Sequence, residues 1–348
     1  MGTALTVAFY VLLMVLVFGV LIFIHEFGHF FTARRFGVTI KEFAIGMGPT
    51  LFSWKSKKYD TKYALRLFPI GGFVSMVGED EESDDENAFC NKKVWKRMII
   101  VAAGAVMNLV LGFLLVMLVV LLQGPIGSTT VARFEEGAIS SSQLQVGDEI
   151  LEVDGTRVHS GNEVLYEIMN KGYEPIDIKV KRNGEKIVIE DVAFPTIEQD
   201  GAVFGDVDFK VFQEPRTFPN LMKQTLFRSV SAVKMVYDSL IGLFSGRFGI
   251  DAVSGPIGVA EAVGDAAKTG YLNFIYIVAV LTINLGVVNL LPFPALDGGR
   301  FVMLVIEGIR RKPLNRNVES YINLAGIVIL FAFMIFVSFK DVIKLIFR

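Results

Sequence analysis

The sequence predicts a multi-pass α-helical membrane protein with four transmembrane helices, and its composition and charge placement carry that prediction. Of the 348 residues, 52% are hydrophobic and 20% are charged, which is more apolar than an average soluble protein. Four runs contain no charged side chain: 1–24, 98–132, 269–296 and 320–339. Each run reaches the roughly 20 residues that a helix needs to cross a hydrocarbon core.

The uncharged runs predict helices over about 4–33, 98–122, 271–291 and 319–340. The alternative, four buried core helices of a soluble protein, is disfavoured because such helices seldom stay uncharged beyond about 14 residues. The first run is also unlike a signal peptide, since it has no basic leading region and its apolar part exceeds the usual length of about 7–15 residues. We therefore expect the first run to be a helix of the mature protein.

Two segments between these helices have other patterns. Residues 38–77 are rich in β-branched and aromatic side chains, which predicts short strands with turns near Gly48–Pro49 and Ser56–Lys58. After the second helix, a soluble-looking stretch contains a polar helix near 162–171 and two strands separated by Asn183–Gly184, a strong hairpin signal. The chain therefore predicts a β-hairpin segment and an inserted α+β domain beside the membrane helices.

A further stretch, 218–250, is apolar at helical spacing but is interrupted by Lys223, Arg228 and Lys234. This pattern is typical of a helix that lies on the membrane or against the helix bundle. The predicted organisation is a first membrane part (1–126), an α+β domain (127–200), a connector with the amphipathic helix (201–250) and a second membrane part (251–348).

The orientation follows from the lysines and arginines of the short connections. The segment 34–97 holds twelve of them: Arg34, Arg35, Lys41, Lys55, Lys57, Lys58, Lys62, Arg66, Lys92, Lys93, Lys96 and Arg97. The connection 297–319 adds Arg300, Arg310, Arg311, Lys312 and Arg316. Both segments are predicted to face the cytoplasm, which places the α+β domain and both termini outside; the basic C-terminal tail mildly opposes this.

The motif HEFGH, formed by residues 25–29, indicates metal chemistry. His25 and His29 are four residues apart, so both imidazoles lie on one face of a helix and can reach one Zn²⁺ ion. Glu26 can take a proton from the attacking water and pass it to the leaving amine. Ionisable groups at this depth cost on the order of 2.5–3.5 kcal/mol each to insert, which favours a functional role over helix-end snorkelling.

A catalytic zinc site uses three protein ligands and one open position. The chain has three histidines, and the third, His159, lies in the predicted external domain. The remaining ligand must then be a carboxylate that reaches the membrane, and Asp297 is the candidate. Pro292 and Pro294 break the third helix before it, and Gly298–Gly299 allow a close backbone approach. The alternative is that Asp297 only caps a following helix.

HEFGH late in the first helix, together with NLLPFPALDGG near the end of the third, resembles the site-2 protease family of intramembrane metalloproteases. The resemblance extends over the whole chain and is closest to the bacterial regulator-of-sigma-E protease branch. It implies that His25, His29 and Asp297 bind zinc and that Glu26 is the catalytic base.

The same resemblance implies substrate contacts. Asn289 and Pro292 would touch an unwound substrate near the metal, although both could simply break the helix. The segment 38–77 would form a sheet that dips into the membrane, with Gly46 and Gly48 near the substrate, and its edge could bind an extended substrate by strand addition. From the residues alone, a plain cytoplasmic hairpin stays an alternative.

The stretch GDEILEVDG, residues 147–155, resembles the PDZ domains of bacterial membrane-associated proteases. One copy is visible, whereas relatives in Gram-negative bacteria carry two. The expected partners are transmembrane protein substrates, a peptide or substrate ectodomain bound by the PDZ-like domain, and the lipid bilayer of the cell's inner or plasma membrane. No basic stripe or nucleic-acid motif is present, so nucleic-acid partners are not expected.

The function that these features predict is regulated intramembrane proteolysis of pre-trimmed membrane proteins, such as anti-sigma factors and remnant signal peptides. One alternative is a gluzincin-type membrane protease, which would take its third ligand from Glu307 or Glu319. Another is a PDZ-bearing membrane scaffold or chaperone with a vestigial metal site. The intact Glu26 argues against the second alternative.

Overall fold

The computed structural model describes residues 2–79, 81–199, 202–250 and 253–346. The helices are α1 (Gly2–Arg35), α2 (Val94–Leu122), α3 (Gly161–Lys171), α4 (Phe218–Phe244), α5 (Pro256–Thr269), α6 (Tyr271–Asn289), α7 (Asp297–Arg310) and α8 (Arg316–Ile346). The strands are β1 (Ile40–Lys55), β2 (Lys62–Met76), β3 (Ile126–Phe134), β4 (Glu149–Val153), β5 (Thr156–Arg157), β6 (Ile176–Arg182), β7 (Glu185–Val192), β8 (Thr196–Gln199), β9 (Ala202–Gly205) and β10 (Phe209–Glu214).

Four helices in the described part of the chain are long and apolar enough to cross a membrane. The spans are Phe9–Arg35 in α1, Val94–Leu122 in α2, Tyr271–Asn289 in α6 and Asn317–Lys344 in α8. This result confirms the prediction of four transmembrane helices, and the protein is a multi-pass membrane protein that also carries strand-rich sheets.

The chain forms two compact units. The first unit contains Met1–Gly112 and Ser254–Arg348, and the second contains Phe113–Val253. The helix α2 begins in the first unit and ends in the second. Each unit has its own hydrophobic core.

In the first unit, β1 and β2 form a sheet whose two long strands fold back along each other. The first residues of β1 pair on one side with the last residues of β2, so that Ile40 lies opposite Met76. On their other side they pair with the first residues of β2, so that Glu42 lies opposite Lys62. The last residues of β1 also pair with the first residues of β2, so that Lys55 lies opposite Lys62. Many large apolar side chains of this sheet are exposed: Met47, Leu51, Phe52, Trp54, Leu65, Leu67 and Phe68.

The core of the first unit lies where α1, this sheet, α2 and α7 meet. Phe30 of α1, Phe43 of β1, Ile100 of α2 and Leu304 of α7 are all buried in one cluster. The rings of Phe30 and Phe43 lie 4.8 Å apart. This packing places the end of α1 that carries HEFGH beside α2, α7 and the sheet.

Two helices of the first unit, α5 and α7, do not appear among the predicted elements. Both are short, which is why a search for uncharged runs misses them. Asp341 of α8 is buried and accepts hydrogen bonds from the backbone N–H groups of Gly255 and Gly258, each at 3.0 Å. This carboxylate therefore satisfies the otherwise unpaired donors at the beginning of α5.

The second unit is built on a sheet with strand order β10-β3-β4-β6-β7, in which β5 also pairs with β4. Val131, Ile150, Ile178 and Val180 are fully buried in its core. The predicted helix near 162–171 is α3, and the predicted hairpin is β6–β7, with Asn183 and Gly184 at positive φ. The strand β10 lies within the predicted connector, so the sheet extends past residue 200.

The predicted amphipathic helix within 218–250 is α4. Its buried residues include Gln224, Ser229 and Val236, whereas Leu226 and Ile241 are exposed. Residues on the inner side contact the rest of the second unit; for example, the Gln224 side chain donates to the Gly127 carbonyl at 2.9 Å. The helix thus presents an apolar outer stripe.

Candidate metal centre

His25 and His29 project from one face of α1, one helical turn apart. Their rings meet edge to face with centroids 4.8 Å apart, and the two Nε2 atoms are separated by 3.2 Å. Only 8% of the His25 surface is exposed. The i, i+4 spacing therefore brings two imidazole nitrogens to a common point, as the motif predicts.

Asp297 reaches the same point from a short helix that follows the third membrane helix. The helix α6 ends at Asn289, before the predicted break at Pro292 and Pro294, and Asp297 is the first residue of α7. The intervening loop contains Pro292 and Pro294, which cannot continue a helix. The loop also holds Ala295 at a φ of 72°, a left-handed conformation that is uncommon for alanine.

The loop before Asp297 packs closely on α7 and on α8. A side chain at Gly298 would overlap the backbone of Leu290, so α7 can begin here only because this residue is glycine. The Asn323 side-chain oxygen of α8 accepts a hydrogen bond from the Ala295 N–H at 3.3 Å. Asp297 does not act as a capping residue, because the N-cap position belongs to Leu296.

The three side chains fit a zinc ion. Asp297 Oδ2 lies 3.1 Å from His25 Nε2 and 3.3 Å from His29 Nε2. Tetrahedral zinc with bonds of about 2.0–2.2 Å separates its ligand atoms by roughly 3.3–3.6 Å, and the observed separations of 3.1, 3.2 and 3.3 Å lie at or slightly below the lower end of that range. Asp297 Oδ2 is buried and has no hydrogen-bond partner in the described part of the chain. When both imidazoles carry their proton on Nδ1, these three atoms are all acceptors, which is the arrangement that a cation requires.

The helix α2 forms the wall behind the imidazoles. His29 Nδ1 lies 2.8 Å from the Ile100 carbonyl oxygen, which fixes the ring orientation. A side chain at Gly104 would overlap His29 and would approach His25 Nε2 to 2.8 Å. Asn108 is fully buried, and its Nδ2 lies 3.2 Å from His25 Nδ1.

Glu26 faces the β1–β2 sheet. A Cβ atom at Gly72 would lie 3.3 Å from Glu26 Cγ, so the glycine allows the end of β2 to lie directly against this side chain. The Val74 backbone is also close enough to form a hydrogen bond with the Glu26 carboxylate. The candidate base thus lies between the three possible ligands and a strand.

The residues expected to contact substrate occupy several places. Asn289 is the last residue of α6, and Pro292 is exposed in the loop that follows. Gly46 and Gly48 both have a φ of 84° and pack against Phe68 in the sheet. Their roles in binding substrate stay predictions.

Sequence reasoning missed three residues that line the site: Gly72, Gly104 and Asn108. Asn108 had a usable signal, because it is the single polar side chain in the run 98–122. The two glycines had none, since their importance depends on which atoms lie opposite them.

Other candidate ligands lie elsewhere in the structure. His25, His29 and Asp297 form the only cluster suited to a metal among the described residues. Glu307 forms an ion pair with Arg97. His159 stacks on Phe227 with ring centroids 4.0 Å apart.

The fold and this site define a membrane protein with a candidate metal centre beside a glutamate, and comparisons with known proteins give the class. The family model described as Peptidase family M50 matches residues 13–333. A Clostridium acetobutylicum protein that carries the provisional name zinc metalloprotease is 35% identical over 337 residues, covering 96% of this chain and 98% of the relative. The regulator of sigma-W protease RasP of Bacillus subtilis is 28% identical, with coverage of 96% and 98%.

The chain is therefore a zinc metalloprotease of the membrane. It belongs to peptidase family M50, the site-2 protease family. This result confirms the family predicted from HEFGH and NLLPFPALDGG, as well as the predicted metal.

Proposed function

We propose that the protein cleaves peptide bonds within transmembrane segments, with His25, His29 and Asp297 as zinc ligands and Glu26 as general base. One observation carries this proposal: three ligand atoms from α1 and α7 converge within 3.3 Å of one another, beside a glutamate and inside the helical unit. Substrates for such a site are membrane proteins.

The chemistry divides between the metal and the chain. When bound, zinc supplies a Lewis acid that polarises the scissile carbonyl and makes water nucleophilic near neutral pH. Glu26 accepts the proton of the attacking water at its carboxylate and delivers it to the nitrogen of the leaving amine. His29 is oriented by the Ile100 carbonyl. Gly104 leaves room for both imidazoles.

Substrate presentation is assigned to the β1–β2 sheet. A peptide bond within a helix is shielded by its own hydrogen bonds, and an extended strand edge can replace those bonds as the substrate unwinds. Residues 72–76, at the end of β2, pair with β1 and lie next to Glu26. This position supports the use of the end of β2 as the strand that binds the substrate. We place Asn289, Pro292, Gly46 and Gly48 along the substrate path.

The second unit is proposed to contain a PDZ-like domain over residues 127–200, extended by β10, that binds a peptide or substrate ectodomain. In the strand order, β10 is a terminal strand that pairs with β3, and a terminal strand can accept an added peptide. The lysine and arginine counts support a cytoplasm-facing active site and an extracytoplasmic PDZ-like domain in the cell's inner or plasma membrane.

The proposed substrates are membrane proteins already shortened by another protease, such as anti-sigma factors and remnant signal peptides. The name of the Bacillus subtilis relative, regulator of sigma-W protease, supports the first class.

The decisive experiment compares Glu26→Gln with the unchanged protein in detergent, using a labelled transmembrane peptide. We expect cleavage to fall on the order of 10²- to 10⁴-fold, because the base is lost, while one zinc per chain is retained. Glu319→Gln is the matched control and should cleave normally. Full activity of Glu26→Gln would refute the assigned base, and zinc loss from Glu319→Gln would favour the gluzincin-type alternative.

A scaffold or chaperone with a vestigial metal site makes the opposite prediction. Such a protein would bind one zinc per chain but cleave no transmembrane peptide, and Glu26→Gln would not change its behaviour. Trapping of uncleaved fragments in cells that carry Glu26→Gln would identify the natural substrates.

A further inference from the structure

Asn108 is a buried polar side chain inside an apolar helix, and one of its two polar atoms has no partner. It is 0% exposed, and its Nδ2 lies 3.2 Å from His25 Nδ1. Its Oδ1 is buried without a hydrogen-bond partner in the described part of the chain. Since an unpaired buried oxygen is costly, its position calls for a reason.

The chemistry of zinc binding supplies a reason. A neutral imidazole that offers the Nε2 lone pair to a metal carries its proton on Nδ1, so Nδ1 is a donor and needs an acceptor. For His29, the Ile100 carbonyl oxygen is that acceptor at 2.8 Å. For His25, the group that lies at Nδ1 in the described part of the chain is the Asn108 amide. An amide nitrogen cannot accept this proton, whereas an amide oxygen can.

The two ends of an asparagine amide occupy nearly the same space. A half-turn of the Asn108 amide would bring Oδ1 to the position now held by Nδ2, 3.2 Å from His25 Nδ1. The same movement would give the currently unpaired oxygen a donor. The movement therefore pairs the oxygen and gives His25 an acceptor, and it places Nδ2 at the buried position that Oδ1 now occupies.

We infer that Asn108 is a positioning residue for the metal centre: its side-chain oxygen accepts the His25 Nδ1–H and holds Nε2 toward zinc. This inference rests on the proposed ligand set. In it, α2 orients both imidazoles, His29 through a backbone carbonyl and His25 through a side chain. The Asn108 backbone carbonyl has a separate partner, since Thr282 Oγ1 donates to it at 3.3 Å.

The test measures zinc affinity of the full-length protein in detergent by competition with a chelator. Asn108→Leu has a similar size but no acceptor, and we expect its zinc affinity to fall 10- to 100-fold, as is typical when a partner of a metal-binding histidine is removed. Asn108→Asp keeps an oxygen acceptor and should stay within a few-fold of the unchanged protein. Thr282→Val is the matched control, because it perturbs the Asn108 backbone contact without touching the imidazole.

A second measurement needs no substitution at Asn108. The chain has only three histidines, so ¹⁵N-histidine spectra of the zinc-loaded protein can be assigned with His159→Gln as a reference. We expect a strongly hydrogen-bonded His25 Nδ1–H whose proton lies near the Asn108 side-chain carbonyl carbon and away from its amide protons. Amide protons of Asn108 next to the His25 ring would overturn the inference.

Two affinity results would also overturn it. One is an unchanged zinc affinity in Asn108→Leu, and the other is an equal loss in Asn108→Asp and Asn108→Leu. Asp297→Ala, measured in parallel, keeps this failure distinct from failure of the ligand set. If Asp297→Ala loses zinc while Asn108→Leu does not, the proposed ligand set is supported and the positioning role of Asn108 is refuted.

Discussion

Asp297 of the first unit and two buried carboxylates of the second unit have opposite surroundings. In the second unit, Asp148 accepts two hydrogen bonds from Arg182 at 2.7 Å each and one from the Gln145 N–H at 2.8 Å. Asp208 likewise accepts from the backbone and the hydroxyl of Ser140. In the first unit, Asp297 Oδ2 has no such donor and faces two imidazole nitrogens.

Tyr166 of α3 follows the pattern of the second unit. Its hydroxyl donates to Asp238 Oδ2 at 2.7 Å, and burial together with this carboxylate holds the pKa of Tyr166 well above its usual range. The phenol therefore stays a donor at any physiological pH. Asp148, Asp208 and Tyr166 therefore all have protein partners, and their hydrogen bonds stabilise the fold of the second unit.

The comparison separates structural polar groups from functional ones. A buried carboxylate that already has its donors stabilises the fold and gains nothing from an ion. A carboxylate oxygen that is buried against other acceptors is destabilising until a cation binds. The surroundings of Asp297 Oδ2 therefore support the proposal that Asp297 is a zinc ligand.

The largest effect is expected for Asp297→Ala. This substitution removes one of the three proposed ligands, so zinc binding and cleavage of a transmembrane peptide should both be lost. The melting temperature of the zinc-free protein should change little, because in the described part of the chain Asp297 Oδ2 faces the two imidazoles and accepts no hydrogen bond from a backbone N–H, lysine or arginine. Metal analysis and thermal unfolding measure the two effects. Retained zinc would remove Asp297 from the ligand set. It would also contradict the distinction between Asp297 and the buried carboxylates of the second unit.

An intermediate effect is expected for Gly104→Ala. The added methyl group would lie 2.8 Å from His25 Nε2 and would overlap His29, so the imidazoles must shift. Since misplacement by about 1 Å can cost on the order of 100-fold in rate, peptidase activity should fall by at least about 10-fold, with weaker zinc binding. Gly308→Ala is the control, because its new methyl group would meet only Val94 Cγ1 at 3.5 Å. Equal activity of the two variants would contradict the conclusion that α2 packs against His25 and His29 at Gly104.

The smallest effect on the metal centre is expected for Asp208→Ala in the second unit. Two buried donors of Ser140 would lose their acceptor, at a cost of about 1–3 kcal/mol each. Hydrogen–deuterium exchange should therefore speed up in β3, β10 and the segment around Ser140. Zinc content should stay at one per chain. Loss of zinc in this variant would contradict the division between a carboxylate that holds the fold, such as Asp208, and one that binds the metal, such as Asp297.

Much of the fold could be predicted because it depends on local signals. Uncharged runs predicted the spans of α1, α2, α6 and α8, since a helix satisfies all of its backbone hydrogen bonds within one segment of chain in hydrocarbon. Asn183–Gly184 predicted the β6–β7 hairpin through backbone conformations that these residues adopt easily. The short helices α5 and α7 escaped prediction, because their boundaries depend on contacts such as that of Asp341 with the beginning of α5.

The candidate site divides in the same way. The sequence by itself determined the pairing of His25 with His29 and the place of Glu26 between them, because a helix fixes the relation of residues four apart. It also predicted that a carboxylate completes the site, since the chain has too few histidines.

Only the tertiary structure decided that Asp297 arrives on α7, that Gly72 brings a strand against Glu26, and that the wall behind the histidines is α2. These contacts join residues far apart in the chain, and helix packing rather than local preference sets which atoms meet. That packing turns a five-residue motif into a site whose acceptors converge on a single point.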